Sequence, residues 1–270
     1  MASARMPTAF FKLAAHHLPP EQPIGSAGGR PHVAHPVVLR ILWFVLTTGC
    51  RWEDVPSERG CSGRTAHRCL RRWEAMGVWE RLHVDRLRLL RQAGKLDPDL
   101  VLVDAVIVRA FGGGELTGPS PVDRRKMGSK HTLLVERHGV PLALRTAPAN
   151  ASDHRQIIPR VLDFPKVTGT PGRPKELPAE RYADRGDDSE ATRWLLAWLG
   201  IEPHIAKRRT AHGSGLGKVR WVVERTNSWL KGLRRLRIRY DRLAVVQDAW
   251  DTLAACVICF RLLHDDSLAE

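Results

Sequence analysis

The chain has 270 residues, 43% hydrophobic and 27% charged, with a net charge of +14 and a pI near 10.3. That length carries one large domain or two unequal ones with ample core, and so basic a balance predicts an anionic partner, nucleic acid before an anionic membrane surface. No apolar run approaches the roughly 20 residues that span a bilayer, and no signal pattern opens the chain, so a cytoplasmic protein without a membrane segment is expected. The five cysteines (Cys50, Cys61, Cys69, Cys256, Cys259) are odd in number and show no secreted disulfide pattern.

Residues 1–35 read as a loose leader broken by prolines and glycines. Pro36 to Thr48 is a buried helix, with Pro36 in its first turn and Gly49 as its cap. Trp52 to Pro56 reads as a short second helix and Thr65 to Met76 as a third. The third turns Cys69, Leu70 and Trp73 inward and Arg64, Arg68, Arg71 and Arg72 outward. A fourth helix covers Trp79 to Ala93. Helix, short helix, turn and basic helix is the layout of a helix-turn-helix DNA reader; a small bundle with a solvated basic face is the other reading. The four arginines are candidate DNA contacts, and residues 1–97 form the expected helical domain.

Leu100 to Ala110 is apolar on both faces, as in a covered central strand, and Asp104 interrupts it. A carboxylate there requires a cation or donors; a structural pairing to an arginine is the other reading. A polar glycine- and proline-rich loop follows, carrying Asp123-Arg-Arg-Lys126. Thr132–Glu136 and Val140–Thr146 form a hairpin. Ser152 to Leu162 reads as a helix capped by Ser152. A strand ends at Asp184, a turn follows at Gly186, and a helix runs from about Ser189 to Leu199. Ile201 to Ile205 is a further strand. A long helix is expected from Lys218 through Lys231 and on to Tyr240, with Arg220, Glu224, Asn227, Lys231 and Arg235 on one face. The closing helix, Ala244 to Leu263, holds Cys256 and Cys259 in an apolar run, where packing is their expected role. From Lys207 to Arg242, twelve Lys and Arg stand against Glu224 and Asp241, a net of +10. Lys231 and Arg235 are therefore expected on phosphate.

Three acids thus have distinct settings: Asp104 within a strand, Asp184 at a strand end, Glu224 on a basic helix. A mixed sheet flanked by helices is able to gather them. Phosphodiester chemistry explains acids on a basic protein: two hard cations assist in-line displacement, Mg²⁺ favours carboxylate oxygens, and nearby bases hold the remaining phosphates.

These residues carry a resemblance to bacterial insertion-sequence transposases of the DDE class, insertion-sequence family five, from about Leu18 to Leu263. Gly49-Cys-Arg-Trp-Glu-Asp-Val-Pro56, with Trp73 and Gly77-Val-Trp-Glu-Arg81, resembles the N-terminal DNA-binding segment. Leu102-Val-Asp104 resembles the first-acid strand, Ala183-Asp-Arg-Gly-Asp-Asp-Ser189 the second-acid segment, and Val222-Val-Glu-Arg-Thr with Trp229-Leu-Lys231 the third-acid helix. Gly118-Pro-Ser-Pro-Val-Asp-Arg, Gly128-Ser-Lys-His131 and Gly139-Val-Pro141 resemble its middle. The family's Tyr-Arg-Glu-Lys signature falls on Arg220, Glu224 and Lys231, with Gly217 in place of the Tyr; Asp187 stands where an aromatic is often found.

The resemblance implies a ribonuclease H-like catalytic domain over residues 98–270 and metal-dependent transposition. It implies Asp104, Asp184 and Glu224 as ligands of Mg²⁺ or Mn²⁺, two ions in number. It also implies Arg220 and Lys231 as contacts to DNA near the cleaved end. The expected partner is double-stranded DNA, both terminal inverted repeats and target, bound by a homodimer. A DNA-binding protein without catalysis and a stand-alone metal-dependent nuclease are the alternatives. Asp123, Lys126, Lys130 and Asp153 receive no role from the sequence.

Overall fold

The computed structural model describes residues 6–21, 31–152, 163–165, 167, 177–207 and 217–264. Helix α1 spans Thr8–Ala15 and α2 spans His35–Thr48. Pro36 sits in the first turn of α2, and Gly49 closes it in the left-handed region at φ 72°, where a residue without Cβ is unstrained. The short helix lies later than expected: a single 3₁₀ turn forms at Ser57–Arg59, preceded by Pro56. Pro56 presets φ for the turn that follows it but cannot donate within a helix ending on it. Helix α3 spans Gly63–Ala75, its Ser62 side chain accepting from the Thr65 amide, and α4 spans Val78–Gln92.

The strands are β1 (Leu100–Ala110), β2 (Gly118–Pro119), β3 (Met127–Glu136), β4 (Pro141–Pro148), β5 (Glu180–Ala183), β6 (Glu202–Ile205) and β7 (Ile238–Arg239). The main path of the sheet runs β4-β3-β1-β5-β6. β3 is antiparallel to β1 and β4, while β1, β5 and β6 run parallel. One reversed strand in that order is the ribonuclease H-like arrangement that the resemblance implies. The short β7 pairs with the end of β1, and β2 with the start of β3. Three further helices lie among the described residues: α5 (Glu190–Trp198), α6 (Gly217–Gly232) and α7 (Ala244–His264). Most of the expected helix after Ser152 lies outside the described residues.

The change from helices to strands falls near residue 97, but no gap in the core accompanies it. Leu46, Trp73, Trp79 and Leu87 of the N-terminal helices belong to one apolar cluster with Leu102 and Val135 of the sheet and Trp250 and Val257 of α7. Cys256 and Cys259 are buried in that cluster. Burial pushes both thiols up, so they pack as small apolar groups.

The long basic helix is shorter than expected. It ends at Gly232; Leu233 is extended, a 3₁₀ turn covers Arg234–Leu236, and the chain returns as β7 beside β1. Glycine lowers helix stability, and the return brings Arg235 inside at 4% exposure. Arg235 donates to Asp241 Oδ2 through Nε and Nη2 at 3.2 and 2.8 Å, and to the Cys50 carbonyl through Nη1 at 3.0 Å. Asp241 also accepts from the indoles of Trp52 at 3.2 Å and Trp250 at 3.1 Å. This buried ion pair joins the segment after α2 to α7. Arg235 is therefore corrected from a phosphate contact to a structural cation.

Candidate functional site

Asp104 and Asp184 are neighbours because of strand register. Leu102 of β1 pairs with Tyr182 of parallel β5; Asp104 lies two residues further along β1, and Asp184 two residues past Tyr182, just beyond the end of β5. Side chains two apart along a strand share a face, so this register brings the two positions to the same end of the sheet. Asp184 leaves the strand to cap a 3₁₀ turn (Arg185–Asp187), accepting from the Gly186 amide at 2.7 Å.

Helix α6 brings the third acid. Val222, Val223, Thr226 and Leu230 are buried against β1 and β3, and Glu224 stays exposed. The β3–β4 hairpin fixes where α6 lies. The Thr226 hydroxyl donates to the Gly139 carbonyl at 2.8 Å, and Arg225 donates to the His138 carbonyl at 2.7 Å. Gly139 has φ 88°, and a Cβ there would stand 2.8 Å from Thr226 Oγ1, so only glycine permits this approach. The fully buried Glu136 carboxylate holds the turn itself, accepting from the amides of His138 and Val140 at 2.7 and 3.0 Å.

Two side chains of α6 reach Asp104. Asn227 Nδ2 donates to Oδ2 at 2.9 Å, and Arg220 Nη2 stands 3.4 Å from Oδ1. Burial raises the Asp104 carboxyl above its ordinary range; Arg220 and the Ala105 amide lower it, and Asp184 and Glu224 raise it. The three acids therefore share one electrostatic neighbourhood. Among the described residues, no three His, Cys, Asp or Glu side chains form a ready metal-holding group.

The basic candidates divide. Arg64, Arg68, Arg71 and Arg72 are exposed on α3, with Arg64 only 4.0 Å from Glu53. Lys231 is exposed at the end of α6. Arg220 turns inward to the acids, and its Nε is buried without a hydrogen-bond partner. Asp187 is 4% exposed and pairs with buried Arg181 at 3.0 Å, so an ion pair occupies the place of an aromatic. Lys130 donates to the Ala151 carbonyl at 2.7 Å, which ties β3 to the chain after β4. Asp153 lies outside the described residues. Asn227 is the residue that sequence reasoning left without a role. Its signal was its position three residues after Glu224, on the same helix face.

The chain matches two family models. One, "Putative transposase of IS4/5 family", covers residues 6–83, and the other, "Transposase DDE domain", covers residues 199–259. It is 46% identical over 183 residues to the Burkholderia cepacia protein "Putative transposase for insertion sequence element IS402", covering 66% of this chain and 87% of that one. It is 44% identical over 106 residues to the "Insertion element IS402 uncharacterized 16.2 kDa protein" of the same organism, covering 38% of this chain and 72% of that one. Among solved structures, the Mos1 mariner paired end complex with Mn is a distant likeness, at 10% identity and a TM-score of 0.35, covering 89% of this chain and 79% of that one. Among the described residues no helix is long and apolar enough to cross a membrane. The chain belongs to the IS4/5 family of insertion-sequence transposases, with a DDE domain.

Proposed function

We propose that this transposase cleaves and joins DNA at the acids Asp104, Asp184 and Glu224, and that α3 binds the ends of its insertion sequence. The observation that carries the first half is the reach of Asn227 and Arg220, from the helix that bears Glu224, to the Asp104 carboxylate at 2.9 and 3.4 Å, on a strand paired in parallel with the one that ends just before Asp184. Acids placed so that they repel one another are costly unless a cation offsets them. Their oxygens are hard donors suited to Mg²⁺ or Mn²⁺. Two divalent ions held by the three acids would supply positive charge at the attacking and leaving oxygens of an in-line displacement.

The chain's own residues do the rest. Asn227 and Arg220 orient Asp104 from α6. Lys231, two turns beyond Glu224 on the same helix, is placed to hold a phosphate. Its alanine variant is expected to lower the slope of log K against log salt by about one. Arg235→Ala, its ion pair being internal, should leave that slope alone.

The second half rests on the four exposed arginines of α3. Arg68→Ala is expected to weaken binding to the element's ends by roughly 1–3 kcal/mol if it reads a base; an unchanged footprint and affinity would remove α3 from the interface. A homodimer holding paired ends, with target DNA joined last, completes the proposal. The test is an end-labelled duplex carrying this element's own ends, incubated with Mg²⁺ and an acceptor duplex. Nicking followed by joining is expected. Nicking without joining would select a nuclease, and binding without nicking would select a DNA-binding protein.

A further inference from the structure

We infer that the end of the sheet carrying Phe111 and Tyr240 binds unpaired nucleotides of the DNA substrate; this rests on the DNA reading above and adds a second contact surface to it. β1 ends at Ala110, and the next residue, Phe111, is 59% exposed. The chain leaving β7 places Tyr240, 43% exposed, beside it. The two rings stack with centroids 6.3 Å and planes 17° apart, and the Arg109 guanidinium lies 4.5 Å over the Phe111 ring. Arg235 lies 5.5 Å from the centroid of Tyr240, so the rings are partly covered by each other and by guanidinium groups, but both remain exposed outside the core, and paired exposed rings mark a contact surface.

The same end of the sheet gathers cations. Arg109 is opposite Gly128 across the β1–β3 ladder, so the turn that leads into β3 lies next to Phe111. In that turn Arg124 and Arg125 adopt φ 45° and 58°, a left-handed conformation uncommon outside glycine. With Lys126 they are exposed. The turn is closed by its own hydrogen bonds: the Ser120 amide donates to the Lys126 carbonyl at 2.8 Å, and Ser120 Oγ accepts from the amides of Val122 and Asp123 at 3.3 and 3.1 Å. Two arginines in an unusual backbone shape and one exposed lysine thus lie in the turn that leads into β3, across the ladder from the end of β1.

This combination selects one state of DNA. Phosphates of any duplex satisfy the arginines, but the faces of paired bases are already stacked and have no use for the rings. Unpaired bases stack on aromatic faces while adjacent cations hold their phosphates. Phe111 lies seven residues along the chain from Asp104, on the order of 20 Å. Cutting a strand near Asp104 creates strand ends within that reach, and an end that frays presents unpaired bases. Helix α3 offers arginines but no exposed ring, Trp73 being buried, so the two surfaces read different features.

The test uses the full chain and two probes: a blunt duplex ending in the element's terminal repeat, and the same duplex with a single-stranded tail containing a fluorescent adenine analogue. The wild type is expected to bind the tailed probe more tightly and to quench the analogue. Phe111→Ala with Tyr240→Ala should lose that gain, about tenfold or more, and the quenching, with blunt-duplex affinity unchanged. Phe111→Trp should keep both. Phe111→Leu, which retains apolar volume without a ring face, should give the same loss even if the double variant misfolds. No gain from the tail in the wild type, retention of the gain in Phe111→Leu, or equal loss on both probes would overturn the inference. Arg68→Ala separates the two readings: it should weaken both probes alike, and its failure to do so would count against end binding by α3 while leaving the tail result intact.

Discussion

Asp104→Asn, Asp184→Asn and Glu224→Gln are each expected to reduce Mg²⁺-dependent cleavage of the element's ends by well over a hundredfold. Each change is nearly isosteric, yet each removes a negative oxygen donor that an amide replaces poorly. The loss should exceed the roughly 10–100-fold cost of removing a neighbour that only orients a ligand, which is the range expected for Asn227→Ala. End binding should persist, since it is assigned to α3. Stability should move the other way at Asp104. Its carboxyl is raised, first by burial, so the folded chain holds that proton more tightly than the unfolded chain does. Any stabilisation tied to the proton is complete below the ordinary carboxylate range and is lost as pH rises through the raised value. Asparagine carries no charge and escapes that loss, so Asp104→Asn at neutral pH should melt no lower than the wild type. A variant that melts lower and cleaves normally would reverse both parts of the argument. Measured cleavage rates at fixed Mg²⁺, with thermal scans at neutral and acid pH, decide it.

Arg235→Ala is expected to destabilise the chain by about 3–5 kcal/mol, because it leaves the Asp241 carboxylate buried beside two indoles with no cation. For a chain of this size that corresponds to a fall in Tm on the order of 10 °C. Replacing Arg235 and Asp241 together by leucine should cost much less, since no charge is then stranded. Urea unfolding of the two variants measures the difference. A loss below about 1 kcal/mol in Arg235→Ala would mean that the pair is solvated like an exposed one.

The contrast between Lys231 and Arg235 shows where the sequence is legible. Strand β1, the hairpin, Gly49 and the closing helix follow from apolar periodicity and turn residues, which are local signals. The fate of an arginine is not local. Arg235, Arg239 and Arg181 are buried at 4%, 2% and 2% exposure, yet in the sequence they look like the exposed arginines of α3. What pulls them inward is a partner set by tertiary structure: Asp241 for Arg235, Asp187 for Arg181, and for Arg239 the Ser129 hydroxyl with the carbonyls of Asp241 and Leu116. The end of α6 was missed because Gly232 lies inside a basic run whose periodicity continues past it. The three acids stand out as candidates in the sequence because each breaks its own surroundings. Their shared neighbourhood depends on β1–β5 register and on a hairpin docked through Gly139, neither of which a single strand or helix reveals. The Phe111–Tyr240 pair needs β7 to return beside β1, so no motif announced it.

The most direct test of the central claim is to locate the metal itself. With Fe²⁺ replacing Mg²⁺ in the full chain bound to its end DNA, ascorbate and peroxide generate hydroxyl radicals that cut the polypeptide next to the ion. The account predicts scission beside Asp104, Asp184 and Glu224, suppressed by excess Mg²⁺ and absent in Asp184→Asn. Scission at other positions, or none that depends on the metal, would contradict it.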